Sequence, residues 1–220
     1  GRVPVVVRLT RSSSVVRAVS TFTSIVVATE ELRVRRTTTV EVKVDTALTT
    51  ALAGRTFRMS DSVAHFAAFD TLDTLWLVPM RDSIFSDTLQ VRLNLLPNNV
   101  DNIQLIEPSK LTIRIVNVDP PPVVRFRDSL LVVREKDTLV RVMLDLDRLS
   151  LIGIVGTVKS VGGSAIAGKH YRLQPDFTFP ALSRTTAVEV TILHDGRYGP
   201  DQDVVLSWGT FRDDKVVTPD

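Results

Sequence analysis

Cysteine is absent from this chain of 220 residues, and the absence removes three chemistries at once. There is no disulfide framework, no thiolate metal site and no thiol nucleophile. Histidine is scarce: only His65, His170 and His194 occur. His65, between Ala64 and Phe66, reads as a packed strand residue, and His194-Asp195 as a turn dipeptide. Ser164 sits in Gly162-Gly163-Ser164-Ala165, which is not a G-x-S-x-G elbow. No phosphate-binding glycine loop is present either. These absences read as a protein that is not an enzyme and takes no cofactor. The formal charge is only +2, so no strong field of one sign exists to attract a polyanion. The densest basic run, Arg33, Arg35 and Arg36, has no interleaved Phe or Tyr to stack bases, and reads as a solvated strand face rather than a nucleic-acid surface. No apolar run approaches the ~20 residues of a membrane-spanning helix, so no membrane insertion is expected. The chain opens on Gly1 with no basic-then-apolar leader, and reads as a processed or excerpted product.

What is present is a period of two. Thr38, Val40, Val42 and Val44 alternate with Thr39, Glu41 and Lys43. Leu111, Ile113 and Ile115 alternate with Thr112 and Arg114, and Val188, Val190 and Ile192 with Ala187, Glu189 and Thr191. This is the signature of half-buried antiparallel strands. No stretch shows helical periodicity, and 44% apolar content is enough for a substantial core. Trp76 and Trp208 both fall in alternating segments and read as core. The expected class is all-β, with sandwiches rather than helical layers.

An internal repeat divides the chain. Ala51-Leu52-Ala53-Gly54-Arg55-Thr56-Phe57-Arg58-Met59 matches Ala165-Ile166-Ala167-Gly168-Lys169-His170-Tyr171-Arg172-Leu173 at an offset of 114. Between the halves lies Asp119-Pro120-Pro121-Pro122, whose prolines cannot donate ladder hydrogen bonds. The resulting organisation is an N-terminal extension at 1–9, a first module at 10–118, a proline-rich linker at 119–122 and a second module at 123–220. Each half carries A-x-A-G-x-x-(F/Y), then a strand ending in aliphatic-x-aliphatic, an acidic turn and a closing strand. Over about 45 residues per half this resembles the Calx-β module, best at Gly163 to Tyr171 and Val188 to Asp195. The resemblance implies two tandem antiparallel immunoglobulin-like (Calx-β-like) sandwiches of adhesive or matrix type. The chain departs from the pattern in having His170 before the Tyr, and Asp195, Asp201 and Asp203 without Glu.

Eight triplets place Asp before Ser or Thr and then an aliphatic residue, where composition alone gives roughly two. Their hydroxyls are Thr46, Ser62, Thr71, Thr74, Ser83, Thr88, Ser129 and Thr138. The triplet resembles the acceptor signal of the Bacteroidota-type general O-glycosylation system, which acts on exported proteins. That resemblance implies covalent O-linked glycans and an extracellular or cell-surface location. Turn chemistry competes with it, because Asp favours turns, Thr favours strands and an inward aliphatic residue follows naturally.

The turn from Asp195 to Asp203 offers Asp195, Asp201 and Asp203 as oxygen ligands for a hard cation, but lacks EF-hand spacing and contains Arg197; a solvated turn is the competing reading. The first module closes with Leu111 to Val118, whose counterpart would occupy positions 225 to 232 of a 220-residue chain. The second module is therefore expected to lack its last strand. Val3, Val5, Val7 and Leu9, on one face of a segment outside the repeat, read as a donor strand, and Val204, Leu206 and Trp208 as the acceptor groove. Together these features describe a subunit of an extracellular glycosylated fibre, joined head-to-tail to copies of itself by donor-strand addition. The alternative is a two-module fragment of a surface adhesin or carbohydrate-binding protein, whose N-terminal strand pairs within its own chain.

Overall fold

The computed structural model describes residues 5–10, 13–18, 23–29, 37–96, 103–134, 136–194, 196, 199–212 and 216–218. The described residues form strands and turns and no helix, so the protein is all-β. The chain separates into two units. One comprises Gly1–Asp82 and Asp87–Val118, the other Ser83–Ser86 and Asp119–Asp220. Ser83–Ser86 thus joins the second unit, although its place in the sequence assigns it to residues 10–118. The reason is pairing: the Phe85 N–H donates to the Leu149 carbonyl (3.1 Å), and the Leu151 N–H donates to the Phe85 carbonyl (2.8 Å).

The first unit contains β1 (Val5–Leu9), β2 (Ser13–Arg17), β3 (Thr23–Thr29), β4 (Thr38–Val44), β5 (Phe57–Met59), β6 (Val63–Phe66), β7 (Leu72–Pro79), β8 (Leu89–Leu96), β9 (Ile103–Leu105) and β10 (Lys110–Val116). One sheet has the order β5-β7-β3-β1-β9, the other β2-β10-β8-β4-β6. Alternation decides which side chains face inward. On β4, Val40 and Val42 are buried while Glu41 and Lys43 are exposed, and on β10 the buried residues are Leu111, Ile113 and Ile115. Pairing is antiparallel except at the two ends of the unit, where β1 runs parallel to β9 and β2 parallel to β10. The sequence pattern specified the strands but not this parallel closure.

The second unit contains β11 (Val124–Phe126), β12 (Leu139–Leu146), β13 (Ile154–Gly162), β14 (Tyr171–Gln174), β15 (Asp176–Phe179), β16 (Thr185–Ile192) and β17 (Val205–Phe211). Its sheets have the orders β11-β12-β16-β14 and β15-β13-β17. Where the first unit has five strands per sheet, this one has four and three. Among the described residues no strand stands at the places of β2, β9 and β10. A single parallel bridge, Val123 to Val217, stands where β1 meets β9 in the first unit. The second sandwich therefore lacks its last strand among the described residues.

The internal repeat is a shared turn. Gly54 (φ +77°) and Gly168 (φ +81°) adopt the left-handed conformation that a side chain would strain. Each donates its N–H to the aromatic residue three positions on, Phe57 or Tyr171, at 2.8 Å. Both aromatic rings are buried. The two turns also share a side-chain acceptor. Thr56 Oγ1 accepts from the Leu52 N–H (2.8 Å), and His170 Nδ1 accepts from the Ile166 N–H (2.9 Å). His170 thus has a structural part in the turn: the position before the aromatic needs an acceptor, and an imidazole nitrogen supplies one.

Removing that acceptor leaves a turn N–H unpaired. Thr56→Val is expected to lower the unfolding free energy by about 1 kcal/mol, and His170→Ala by less, because water reaches the more open site. Urea denaturation of the two variants checks this; no change at Thr56 contradicts the capping role.

Candidate functional site: acceptor hydroxyls and an open sheet edge

The open edge follows from the strand count. In the first unit β8 lies between β4 and β10, and its inward residues Val91, Leu93 and Leu95 are buried. β17 holds the equivalent place beside β13, with no strand on its other side among the described residues. Its inward residues Leu206 and Trp208 pack against the second core yet remain half-buried, as does Val204 just before the strand. Trp208 stacks on Phe126 at 4.3 Å between ring centroids and meets Phe177 edge-on at 6.2 Å. The proposed acceptor residues therefore lie together on one strand, with a core beneath it.

The start of β17 is fixed by a tight approach. Gly163 (φ +109°) leaves no room for a side chain, because a Cβ would collide with the Asp203 backbone. Asp203 Oδ1 accepts from the Ser164 N–H (3.1 Å) and hydroxyl (2.7 Å), while the Asp203 N–H donates to Ser164 Oγ at 3.1 Å. Hydrogen bonds from the Ser164 side chain and backbone hold the Asp203 carboxyl below its ordinary pKa. On the first sheet of this unit, Arg127 grips Asp145 through two bonds of 3.0 and 2.7 Å, and the Asp145 carboxyl is lowered by that guanidinium.

The N-terminal strand is not surplus, which corrects the donor assignment. β1 pairs antiparallel with β3 and parallel with β9, and Val7 and Leu9 are buried in the first core. It fills the place between β3 and β9 within its own chain. Val3 and the side chain of Val5 lie outside the described residues.

The triplet hydroxyls divide by exposure. Thr46, Ser62, Ser83, Thr88, Ser129 and Thr138 are exposed, whereas Thr71 and Thr74 are half-buried at and within β7. The acidic members of several triplets have local work. Asp45 Oδ1 accepts from the Ala47 N–H, Asp61 Oδ1 from Ser62 and Val63, Asp70 Oδ2 from Ala67, and Asp137 Oδ2 from Arg134. Asp73 takes the N–H groups of Thr74 and His65, both at 2.7 Å. Turn capping accounts for the Asp at these sites but not for the recurrence of an exposed hydroxyl after it.

Two packing expectations fail for the same reason. Buried neighbours force alternate residues outward, so Trp76, between Leu75 and Leu77, is 39% exposed on the outer face of β7. His65, between Ala64 and Phe66, likewise projects outward, with its Nε2 at 3.8 Å from Asp61. Of the acidic candidates, Asp195 lies outside the described residues, Asp201 is exposed, and Asp203 is engaged by Ser164. Among the described residues no group of three His, Cys, Asp or Glu is placed to hold a metal ion. One feature escaped the sequence reading altogether: Leu130, Leu131, Val132 and Val133 are exposed and belong to no strand. Its only signal is the run of four aliphatic residues between Ser129 and Arg134.

No protein-family model and no curated protein matches the chain. Among solved structures it is similar to the calcium-binding domain pair CBD12 of CALX1.2, with 14% identity over 94% of this chain and 81% of that one, and a TM-score of 0.46. It is also similar to a two-domain protein of unknown function from Bacteroides fragilis, with 10% identity over 86% and 84% of the respective chains and a TM-score of 0.41. A third similarity is to the CupB2 chaperone of Pseudomonas aeruginosa, with 11% identity over 90% and 98% and a TM-score of 0.35.

Both lowered carboxyls give stability that is complete above their unfolded values and is lost as pH falls through their folded values. The second unit is therefore expected to lose stability on acidification below about pH 4. Asp203→Asn should flatten part of that dependence, measured as melting temperature between pH 6 and pH 3. In glycopeptide mapping of native material, Thr46, Ser62, Thr88 and Thr138 are expected to be occupied ahead of Thr71 and Thr74. A map led by the half-buried pair contradicts acceptor use by exposure.

Proposed function

We propose that this chain is a structural subunit of an extracellular, O-glycosylated fibre, joined to copies of itself by strand addition at β17. The observation that carries the reading is the unpaired edge of β17, where Leu206 and Trp208 stay half-buried while their first-unit counterparts are covered by β10. An exposed sheet edge with apolar residues beneath it favours association, and no disulfide is available to do the same work in a cysteine-free chain. A head-to-tail interface that does not close produces an open filament. The exposed triplet hydroxyls supply the reading of attached glycans and of export.

A second reading has its own support. Burial of Val7 and Leu9 within their own core favours a two-module portion of a surface adhesin, and the exposed ring of Trp76 suits glycan contact. The two readings separate on native material. Electron microscopy is expected to show filaments with a regular subunit repeat, and intact-mass analysis a mass above the bare 24.4 kDa. Glycosylated monomers favour the adhesin reading, and monomers at the bare mass remove the fibre and the glycans together.

A further inference from the structure

In the first unit, the strand beside β8 is β10, which carries Leu111, Ile113 and Ile115 inward. An occupant of the vacant place beside β17 needs the same chemistry: extended backbone with aliphatic side chains at alternate positions. The donor first suggested by sequence, β1, can supply it only by leaving the first core, which would transfer the gap rather than close it. Another segment meets the need without that loss.

Leu130, Leu131, Val132 and Val133 are 78%, 47%, 83% and 38% exposed. The alternation is that of an extended strand with two faces. Their order in the chain, directly after β11, makes them the counterpart of β2, which in the first unit pairs with β10. Here, among the described residues, no hydrogen bond involves the backbone of these four, although the turn that follows is closed by the Asp137 N–H on the Arg134 carbonyl (2.8 Å). The second unit thus presents an unpaired aliphatic segment and an unpaired sheet edge at once.

We infer that Ser129–Arg134 of a second copy is the strand added to β17, so that this segment rather than β1 is the donor in assembly. The inference rests on the reading of β17 as an acceptor edge. Leu130 and Val132, the most exposed pair, would cover Leu206 and Trp208. No buried residue has to be withdrawn from either copy, which is the advantage of this donor over β1. A charged side chain on the donor would oppose its transfer into that apolar site.

The test uses the full chain in two ways. Leu130→Asp combined with Val132→Asp changes two exposed residues, so the melting temperature is expected to stay within a few degrees while self-association weakens at least tenfold by analytical ultracentrifugation. Leu139→Asp, at a half-exposed aliphatic residue elsewhere, is expected to leave association unchanged. Because the chain has no cysteine, single variants Leu131→Cys and Val205→Cys, whose side chains share the outward face in this arrangement, can be mixed under oxidation, and only a contact between copies joins them. The mixed pair is expected to cross-link at least tenfold faster than either variant alone. Equal rates, or association undiminished in the double Asp variant, overturn the inference. Preferential cross-linking of Val6→Cys with Val205→Cys overturns it in favour of β1. Native filaments that still form with the double Asp variant remove this donor and leave the fibre reading standing. Monomeric native material that nonetheless gives the Leu131–Val205 cross-link does the reverse.

Discussion

Parallel pairing between a unit's first two strands and its last two closes both sheets of the first sandwich: β1 lies beside β9, and β2 beside β10. Much else in the protein depends on whether that closure is made. Where it is made, β10 also pairs antiparallel with β8, which becomes an interior strand, and Val91 and Leu93 leave water completely. Where only the Val123–Val217 bridge forms, β17 remains an edge, and Leu206 and Trp208 stay partly wet. The exposed Leu130–Val133 segment fits the same cause, since the strand that would lie against it has no counterpart among the described residues. Without disulfides, backbone pairing and apolar burial must do all of the holding.

The two units share more at their turns than at their edges. Gly54 and Gly168 place the chain in the same left-handed turn, and Phe57 and Tyr171 enter the two cores at the same step. Thr56 and His170 differ as residue types but accept from equivalent backbone N–H groups. The requirement at that position is an acceptor atom at the right distance, which a threonine hydroxyl and an imidazole nitrogen both meet.

The Asp-Ser/Thr-aliphatic triplets set a carboxylate engaged with the backbone beside a hydroxyl. At Asp45, Asp61, Asp70, Asp73 and Asp137 the carboxylate caps backbone N–H groups, which is a folding role complete in itself. The hydroxyl that follows is mostly exposed, and Thr71 and Thr74 are the half-buried pair, Thr71 directly before β7 and Thr74 within it. Capping and an acceptor role are compatible at one site, since they use different side chains.

The sequence by itself determined the strands and the two repeated turns, because a period of two and a left-handed glycine are local properties of the chain. It misplaced Trp76 and His65 because alternation shows that two faces exist, and only the packed sheets reveal which face is covered. It assigned β1 to a neighbour because Val5, Val7 and Leu9 look alike whether they complete their own sandwich or another. That choice was decided by the tertiary structure, through the vacancy between β3 and β9 that β1 fills. The exposure of Leu130–Val133 was decided there too, because an aliphatic run reads as core until the fold provides no strand to cover it.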